Sequence, residues 1–239
     1  MNLLSVIIPV YNEEKTIAKV ISRVEQVKLP EDFEREIIII NDGSTDGTAE
    51  ALKTFEVKYR VIHQQNTGKG GAVRSGFKLA KGDYIIVQDA DLEQDPNDFS
   101  ALLAPLLKKE VDVVFGSRFL GKYLPQALLM NAHYLVNRFF TMTCNFLSGY
   151  KTTDMWTGYK MYSRKALDAV LPYLRSNGIE FEPEITILLS KLGLRIIDAP
   201  ISYTPRWYAE GKKTNWKQAI RSYIKMISFA FRRIPRSLP

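Results

Sequence analysis

The sequence lacks most of the devices that hold small extracellular domains together. Its 239 residues include one cysteine, Cys144, so no disulfide can form within the chain. A reducing compartment is expected. Cys144 lies in an apolar, helical-looking segment and reads as a packed core thiol. No uninterrupted apolar run is long enough to span a bilayer. The best candidate, 128–148, is broken by Asn131, His133, Asn137, Arg138 and Asn145. The apolar start, Met1 to Pro9, has no basic segment and is too short for a signal peptide, so it reads as a first buried strand. Internal repeats, low-complexity tracts and linker-like stretches are absent. So are aromatic–basic interleaving and a helix-turn-helix pattern, which argues against nucleic-acid binding.

The chain is 46% hydrophobic and 25% charged, an ordinary globular composition. Its charge is unevenly placed. Residues 206–236 carry nine Lys and Arg against Glu210 alone, a net +8, while the whole chain is +7. Everything else therefore sums to −1, and the basic character belongs to the C-terminal segment. Such a segment points to an anionic partner: a membrane surface, a phosphate substrate or nucleic acid, the last disfavoured by the missing patterns.

The first half alternates strand-like and helix-like segments. Strands are expected at 3–10, 36–41, 60–64, 83–88 and 111–116, and helices at 13–28, 46–54, 69–80 and 97–108. Near-continuous Val/Ile runs between helices predict an α/β fold with a mainly parallel sheet covered on both faces. The second half is less regular: helices near 126–148, 165–172 and 183–192, with strand-like stretches at 161–163 and 195–203. In open α/β sheets, ligands bind beyond the carboxyl ends of the strands. The conspicuous polar residues fall there: Pro9 to Glu13, Asn41 to Ser44, Asp89-Ala90-Asp91, and Gly116-Ser117-Arg118.

Asp89-Ala90-Asp91 is the most informative of these. Residues i and i+2 of an extended segment face the same way. Two adjacent carboxylates without a cationic neighbour repel each other, and a divalent cation relieves that conflict. Hard oxygen ligands suit Mg²⁺ or Mn²⁺, which commonly take one or two carboxylates and complete their shell with phosphate and water. The pair therefore suggests a metal–diphosphate site.

Eight segments, taken together, carry a resemblance: V-I-I-P-V-Y-N-E, I-N-D-G-S-T-D-G-T, N-T-G-K-G-G-A-V-R-S-G-F, Q-D-A-D-L-E-Q-D-P, D-V-V-F-G-S-R-F, T-D-M-W-T-G-Y-K, F-E-P-E-I-T and P-I-S-Y-T-P-R-W-Y-A-E-G-K-K. The sequence resembles the family 2 glycosyltransferases with the Rossmann-like GT-A fold, in the branch of dolichyl- and polyprenyl-phosphate sugar synthases. The resemblance implies a metal-dependent, inverting transfer from a UDP- or GDP-sugar.

It also implies residue roles. Pro9, Tyr11, Glu13, Asp42, Lys69, Asp89, Ala90 and Asp91 would line the nucleotide-sugar site. Tyr11 and Asp42 would hold the base and Glu13 the ribose, with Arg74 a weaker candidate. Asp91 would ligate the cation, with Asp89 against the sugar or ribose or reaching the metal through water. Asp154, Arg118 and Asp89 would serve catalysis, with Asp154 orienting the sugar or acting as the base if the acceptor is a hydroxyl. Arg118, Arg138, Arg206, Lys212 and Lys213 would take the diphosphate and the acceptor phosphate. Relatives often carry an arginine early in the segment before the long helix. Here that segment reads Leu124-Pro125-Gln126-Ala127-Leu128, and His133 or Arg138 would have to substitute.

A polyprenyl- or dolichyl-phosphate acceptor is already anionic and requires no strong general base. Transfer to a glycan or small-molecule hydroxyl is the alternative. Residues 1–214 are expected to form the transferase domain and 215–239 a basic amphipathic helix. On that helix Trp216, Ile220, Tyr223, Ile224, Ile227 and Phe231 form one stripe, either at an anionic membrane interface or packed on the domain. The expected location is the cytoplasmic face of a membrane, with a membrane-protein partner or a homo-oligomer compatible with the sequence.

Overall fold

The structure is a computed structural model describing residues 1–120, 132–205 and 216–234, apart from the side chains at 132, 133, 216 and 217. Seven strands form one sheet: β1 (Asn2–Val10), β2 (Phe33–Asp42), β3 (Arg60–Gln64), β4 (Tyr84–Val87), β5 (Val113–Ser117), β6 (Lys160–Ser163) and β7 (Ile196–Pro200). Their spatial order is β3-β2-β1-β4-β6-β5-β7. The pairs β1–β2, β1–β4, β2–β3 and β5–β7 are parallel, while β6 is antiparallel to both β4 and β5.

The helices are α1 (Ile17–Gln26), α2 (Thr48–Leu52), α3 (Lys69–Leu79), α4 (Phe99–Leu107), α5 (Ala132–Ser148), α6 (Arg164–Val170), α7 (Phe181–Lys191) and α8 (Trp216–Phe231). Central strands such as β1 and β2 read Val-Ile-Ile and Ile-Ile-Ile-Ile because helices cover both sheet faces. One core packs α1 and α4 against Ile8, Ile39, Ile86 and Val114. The other packs α3, α6 and α7 against Ile7, Ile38, Ile85 and Phe115. Helix α1 shows how spacing sets the buried face: Ile17, Val20, Ile21 and Val24 recur at helical intervals and all point inward.

A third cluster joins α5, α7 and α8 through Phe140, Cys144, Met155, Ile187 and Met226. Cys144 is fully buried, and burial pushes its thiol up to about 12, as suits a packed and inert residue. Helix α8 is also clasped by charge: Lys225 pairs with Glu180, Arg232 with Glu184 at 3.1 Å, and Lys191 Nζ caps Ala230 O at 2.6 Å. It packs on the domain through Tyr223 and Met226.

Candidate active site

The polar strand ends meet at one edge of the sheet. After β1, Asn12 adopts φ 53°, a left-handed conformation that asparagine tolerates better than most residues. Its Oδ1 accepts from Thr45 N at 2.7 Å and its own N–H donates to Ser44 Oγ at 3.0 Å, strapping the β1 end to the β2 end. Glu13 precedes α1, its carboxylate accepting from Thr16 Oγ1 at 2.8 Å and its carbonyl from Ile17 N at 3.0 Å. Pro9 is half-buried opposite Ile40, and Tyr11 stands 38% exposed at the bend.

Asp42 is buried and organises the next loop. Its Oδ1 accepts from Gln64 Nε2 (2.7 Å), Thr67 N (2.9 Å) and Thr67 Oγ1 (3.0 Å), and its Oδ2 from Gly68 N (2.8 Å). Gly68 takes φ 88°, which a side-chain-bearing residue adopts only with strain, and α3 begins at the next residue. This turn presents Lys69.

Lys69 Nζ lies 2.8 Å from Asp89 Oδ1 and 2.9 Å from Oδ2. Burial alone would depress the ammonium, but Asp89 first, then Glu182 and Asp91, hold it well above the usual lysine range. The pair corrects the expectation drawn from Asp89-Ala90-Asp91. A cationic neighbour is present, twenty residues away in sequence, so repulsion between the two carboxylates does not by itself require a metal. Gly158 sits against this pair: a Cβ there would lie 2.7 Å from Lys69 Nζ and 2.8 Å from Asp89 Oδ2.

Ala90 is buried in the core, whereas Asp89 and Asp91 on either side are partly exposed. Asp91 Oδ1 accepts from Glu93 N at 3.1 Å across a tight turn in which Leu92 has φ 62°. Among the described residues no group of three or more His, Cys, Asp or Glu could hold a metal ion. The donor set still fits a cation that takes one or two protein carboxylates and leaves its other positions to diphosphate and water. Asp91 would be its first ligand, with Asp89 adjoining.

At the end of β5, Arg118 grips Asp154 with both prongs of its guanidinium: Nε to Oδ2 at 2.6 Å and Nη2 to Oδ1 at 2.8 Å. Asp154 is 0% exposed, and Asn137 of α5 adds a bond to its Oδ1 at 3.4 Å. Burial alone would lower the Arg118 pKa, but Asp154 raises it beyond the ordinary value, so the guanidinium stays charged. The geometry argues against Asp154 as a free base, because both its oxygens are held by Arg118. The Arg118 guanidinium also lies over Phe119 at 5.7 Å and Tyr203 at 5.2 Å.

Several working residues escaped the sequence reading although they lie inside the motifs. Lys160, buried, donates to Met155 O (3.1 Å), Thr157 O (2.5 Å) and the Glu182 carboxylate. It thereby pins the 154–158 backbone that carries both Asp154 and Gly158. A lysine following T-G-Y and an acid in F-E-P-E were the available signals. Arg74 donates to Asn177 Oδ1 at 2.8 Å and to Leu174 O at 3.3 Å. Arg138 is half-buried on α5, beside Asn137. Arg206, Lys212, Lys213, the early part of the expected 126–148 helix and the His133 side chain lie outside the described residues.

Near this edge α5 and α8 share an apolar outer face. On α5, Leu135, Phe139, Met142 and Phe146 are exposed at helical spacing, Phe146 to 88%. On α8, Ile220, Ile224, Ile227 and Phe231 are exposed at the same spacing, Phe231 to 79%. Phe139 stacks on Tyr223 at 5.6 Å, which makes the two faces adjoin. The expected α8 stripe thus splits: Tyr223 turns inward and the isoleucines with Phe231 outward. No helix among the described residues is long and apolar enough to cross a membrane.

Residues 5–171 match the model of glycosyl transferase family 2. An uncharacterized protein of Methanocaldococcus jannaschii is 32% identical over 93% of this chain and 90% of its own. The UDP-N-acetylglucosamine–dolichyl-phosphate N-acetylglucosaminyltransferase of Methanococcus voltae is 28% identical over 94% of this chain and 95% of its own. The dolichyl-phosphate beta-glucosyltransferase of Saccharomyces cerevisiae is 31% identical over 84% of this chain and 66% of its own. Among solved structures, glucosyl-3-phosphoglycerate synthase from Mycobacterium tuberculosis with UDP superposes with a TM-score of 0.71 at 21% identity, covering 96% of this chain and 79% of that one. The same enzyme with Mn²⁺, UDP and glucosyl-3-phosphoglycerate gives 0.69, also at 21% identity, covering 95% and 78%. This likeness shows the GT-A fold.

Proposed function

The chain belongs to glycosyl transferase family 2, and we propose that it transfers a hexose from a UDP- or GDP-sugar to a polyprenyl or dolichyl phosphate at a membrane surface. The observation that carries this reading is the Arg118–Asp154 pair. A sugar or small-molecule hydroxyl needs a base to remove its proton, and the buried carboxylate best placed for that task has both oxygens on Arg118. A phosphate acceptor is already ionised at neutral pH and needs none. Two relatives named as dolichyl-phosphate transferases support the same acceptor class.

In the proposed reaction an acceptor phosphate oxygen attacks the anomeric carbon in line. The bond from that carbon to the diphosphate oxygen breaks with inversion, and nucleoside diphosphate leaves with the electron pair. Catalysis is then positioning and charge neutralisation. Tyr11 would stack on the base, Asp42 would accept its N–H through Oδ2, which carries one bond, and Glu13 would take the ribose, with Pro9 and the Ala90 backbone adjoining the donor. Asp91, with Asp89 beside it, would hold Mg²⁺ or Mn²⁺, which when bound neutralises the diphosphate leaving group. Mn²⁺ with UDP in the structurally similar synthase supports that choice. Lys69 is one third exposed and can move from Asp89 to the diphosphate. Arg118, Arg138, Arg206, Lys212 and Lys213 would surround the acceptor phosphate.

The adjoining faces of α5 and α8 supply the place where a lipid acceptor would be met. Exposed apolar surface of this extent marks an interaction site, and the exposed Arg221 and Arg233 beside it suit an anionic bilayer surface. We place it on the cytoplasmic leaflet.

The test uses vesicles containing polyprenyl phosphate, with radiolabelled UDP-glucose, UDP-N-acetylglucosamine and GDP-mannose in turn, with Mn²⁺ and with EDTA. Label moving into the organic phase with Mn²⁺ and not with EDTA is expected for one donor. Label confined to water for all three would reject the lipid acceptor.

A further inference from the structure

We propose that Tyr203 is a positioning residue that holds the Asp91 turn at a fixed place relative to the Arg118–Asp154 pair. This rests on reading the site as a cation-dependent nucleotide-diphosphate site, and it assigns work to a residue that the mechanism above leaves unused. Residues 201–204 thread between two loaded strand ends. Ile201 N donates to Ser117 O at 3.2 Å beside Arg118, and Ser202 N to Asp98 Oδ2 at 2.6 Å. Thr204 N donates to Glu93 O at 2.8 Å, and Tyr203 forms an antiparallel bridge with Gln94.

Tyr203 is the one side chain of this segment that reaches both poles. Its hydroxyl donates to Glu93 Oε2 at 2.7 Å, and the face of its ring lies 5.2 Å from the Arg118 guanidinium. Glu93 is in turn part of the Asp91 turn, donating its N–H to Asp91 Oδ1 at 3.1 Å. The connection therefore runs Asp91–Glu93–Tyr203–Arg118–Asp154 without a gap.

Its chemistry suits a brace. A phenol brings a rigid ring with two rotatable angles and one polar tip, so it can fix a distance that a serine or lysine would leave loose. The hydrogen bond to a carboxylate is of the stronger, charge-assisted kind. The turn it steadies is intrinsically strained, since Leu92 holds φ 62° without being glycine. An Asp91 carboxylate free to wander would bind a cation less well even with every ligand present, because preorganisation of the ligating group is part of the affinity.

The experiment compares the full chain with Tyr203→Phe, which deletes the hydroxyl and keeps the ring on Arg118. Calorimetric affinities for UDP and for GDP are measured with Mn²⁺ and again with EDTA, with the thermal midpoint as a check of the fold. Wild type should bind one nucleotide more tightly with Mn²⁺. In Tyr203→Phe that metal-dependent gain should shrink about tenfold, the order expected of one hydrogen bond to a charged group. Its EDTA affinity should stay within about twofold. An unchanged gain overturns the proposal. So does an equal fall in both arms, which would mean general loosening. If wild type binds neither nucleotide in either arm, the nucleotide reading of the site fails and the role given to Tyr203 falls with it.

Discussion

Two ion pairs stand near the same edge of the sheet, and they are built for different work. Lys69 meets Asp89 with a single ammonium on a flexible stem, its side chain one third exposed. Arg118 meets Asp154 through a planar fork, with the carboxylate at 0% exposure and a third bond from Asn137. A partly exposed lysine pair contributes little and re-forms easily. A buried bidentate pair is strongly destabilising to break, since the surviving charge has no water to turn to. In the proposed reaction the first pair would exchange partners, while the second would stay fixed beside the acceptor.

Arg118→Met should have the largest effect. It leaves Asp154 buried and unpaired, and urea unfolding should show a loss of about 3–5 kcal/mol. A loss below about 1 kcal/mol would put the two pairs in one class. Gly158→Ala comes next. Its Cβ would intrude on the Lys69–Asp89 contact while the flexible lysine end can yield. Stability should fall by about 1–3 kcal/mol of overpacking, with the fold intact and donor affinity by calorimetry weakened on the order of tenfold. Lys69→Met should change stability by about 1 kcal/mol or less and yet weaken nucleotide-diphosphate binding.

The smallest expected effect concerns the α8 clasp. Burial alone would raise the Glu180 carboxyl, but Lys225 holds it below its ordinary value of 4.5. A lowered carboxyl stabilises the fold above that value and loses its contribution as pH falls through the folded-state pKa. Hydrogen exchange of α8 amides, corrected for intrinsic rates, should therefore accelerate below about pH 4.5 while the β1 and β2 amides stay protected.

Much of the fold was legible because Val/Ile runs and helical spacing are local properties. The strand ends, and with them Asp42, Asp91 and Arg118, could be placed from the sequence. Strand order was not legible. Lys160–Ser163 is four residues long, and nothing in it announces an antiparallel strand slipped between β4 and β5. Ion-pair partners were hidden for the same reason: Lys69 and Asp89 are twenty residues apart, Arg118 and Asp154 thirty-six. The orientation of α8 was ambiguous because it is apolar on two sides. Tyr223 and Met226 face the domain, and the Ile220–Ile224–Ile227 stripe faces outward. Periodicity reports an apolar face without saying what covers it.

Arg118 holds both oxygens of Asp154, the buried carboxylate best placed to act as a base, and the proposed acceptor is one that arrives ionised. The most direct measurement offers the same vesicles two acceptors of equal chain length, a polyprenyl phosphate and the corresponding polyprenol, with the accepted sugar donor and Mn²⁺. Transfer to the phosphate with none detectable to the alcohol is the predicted result. Comparable transfer to the alcohol would mean that the site supplies a base.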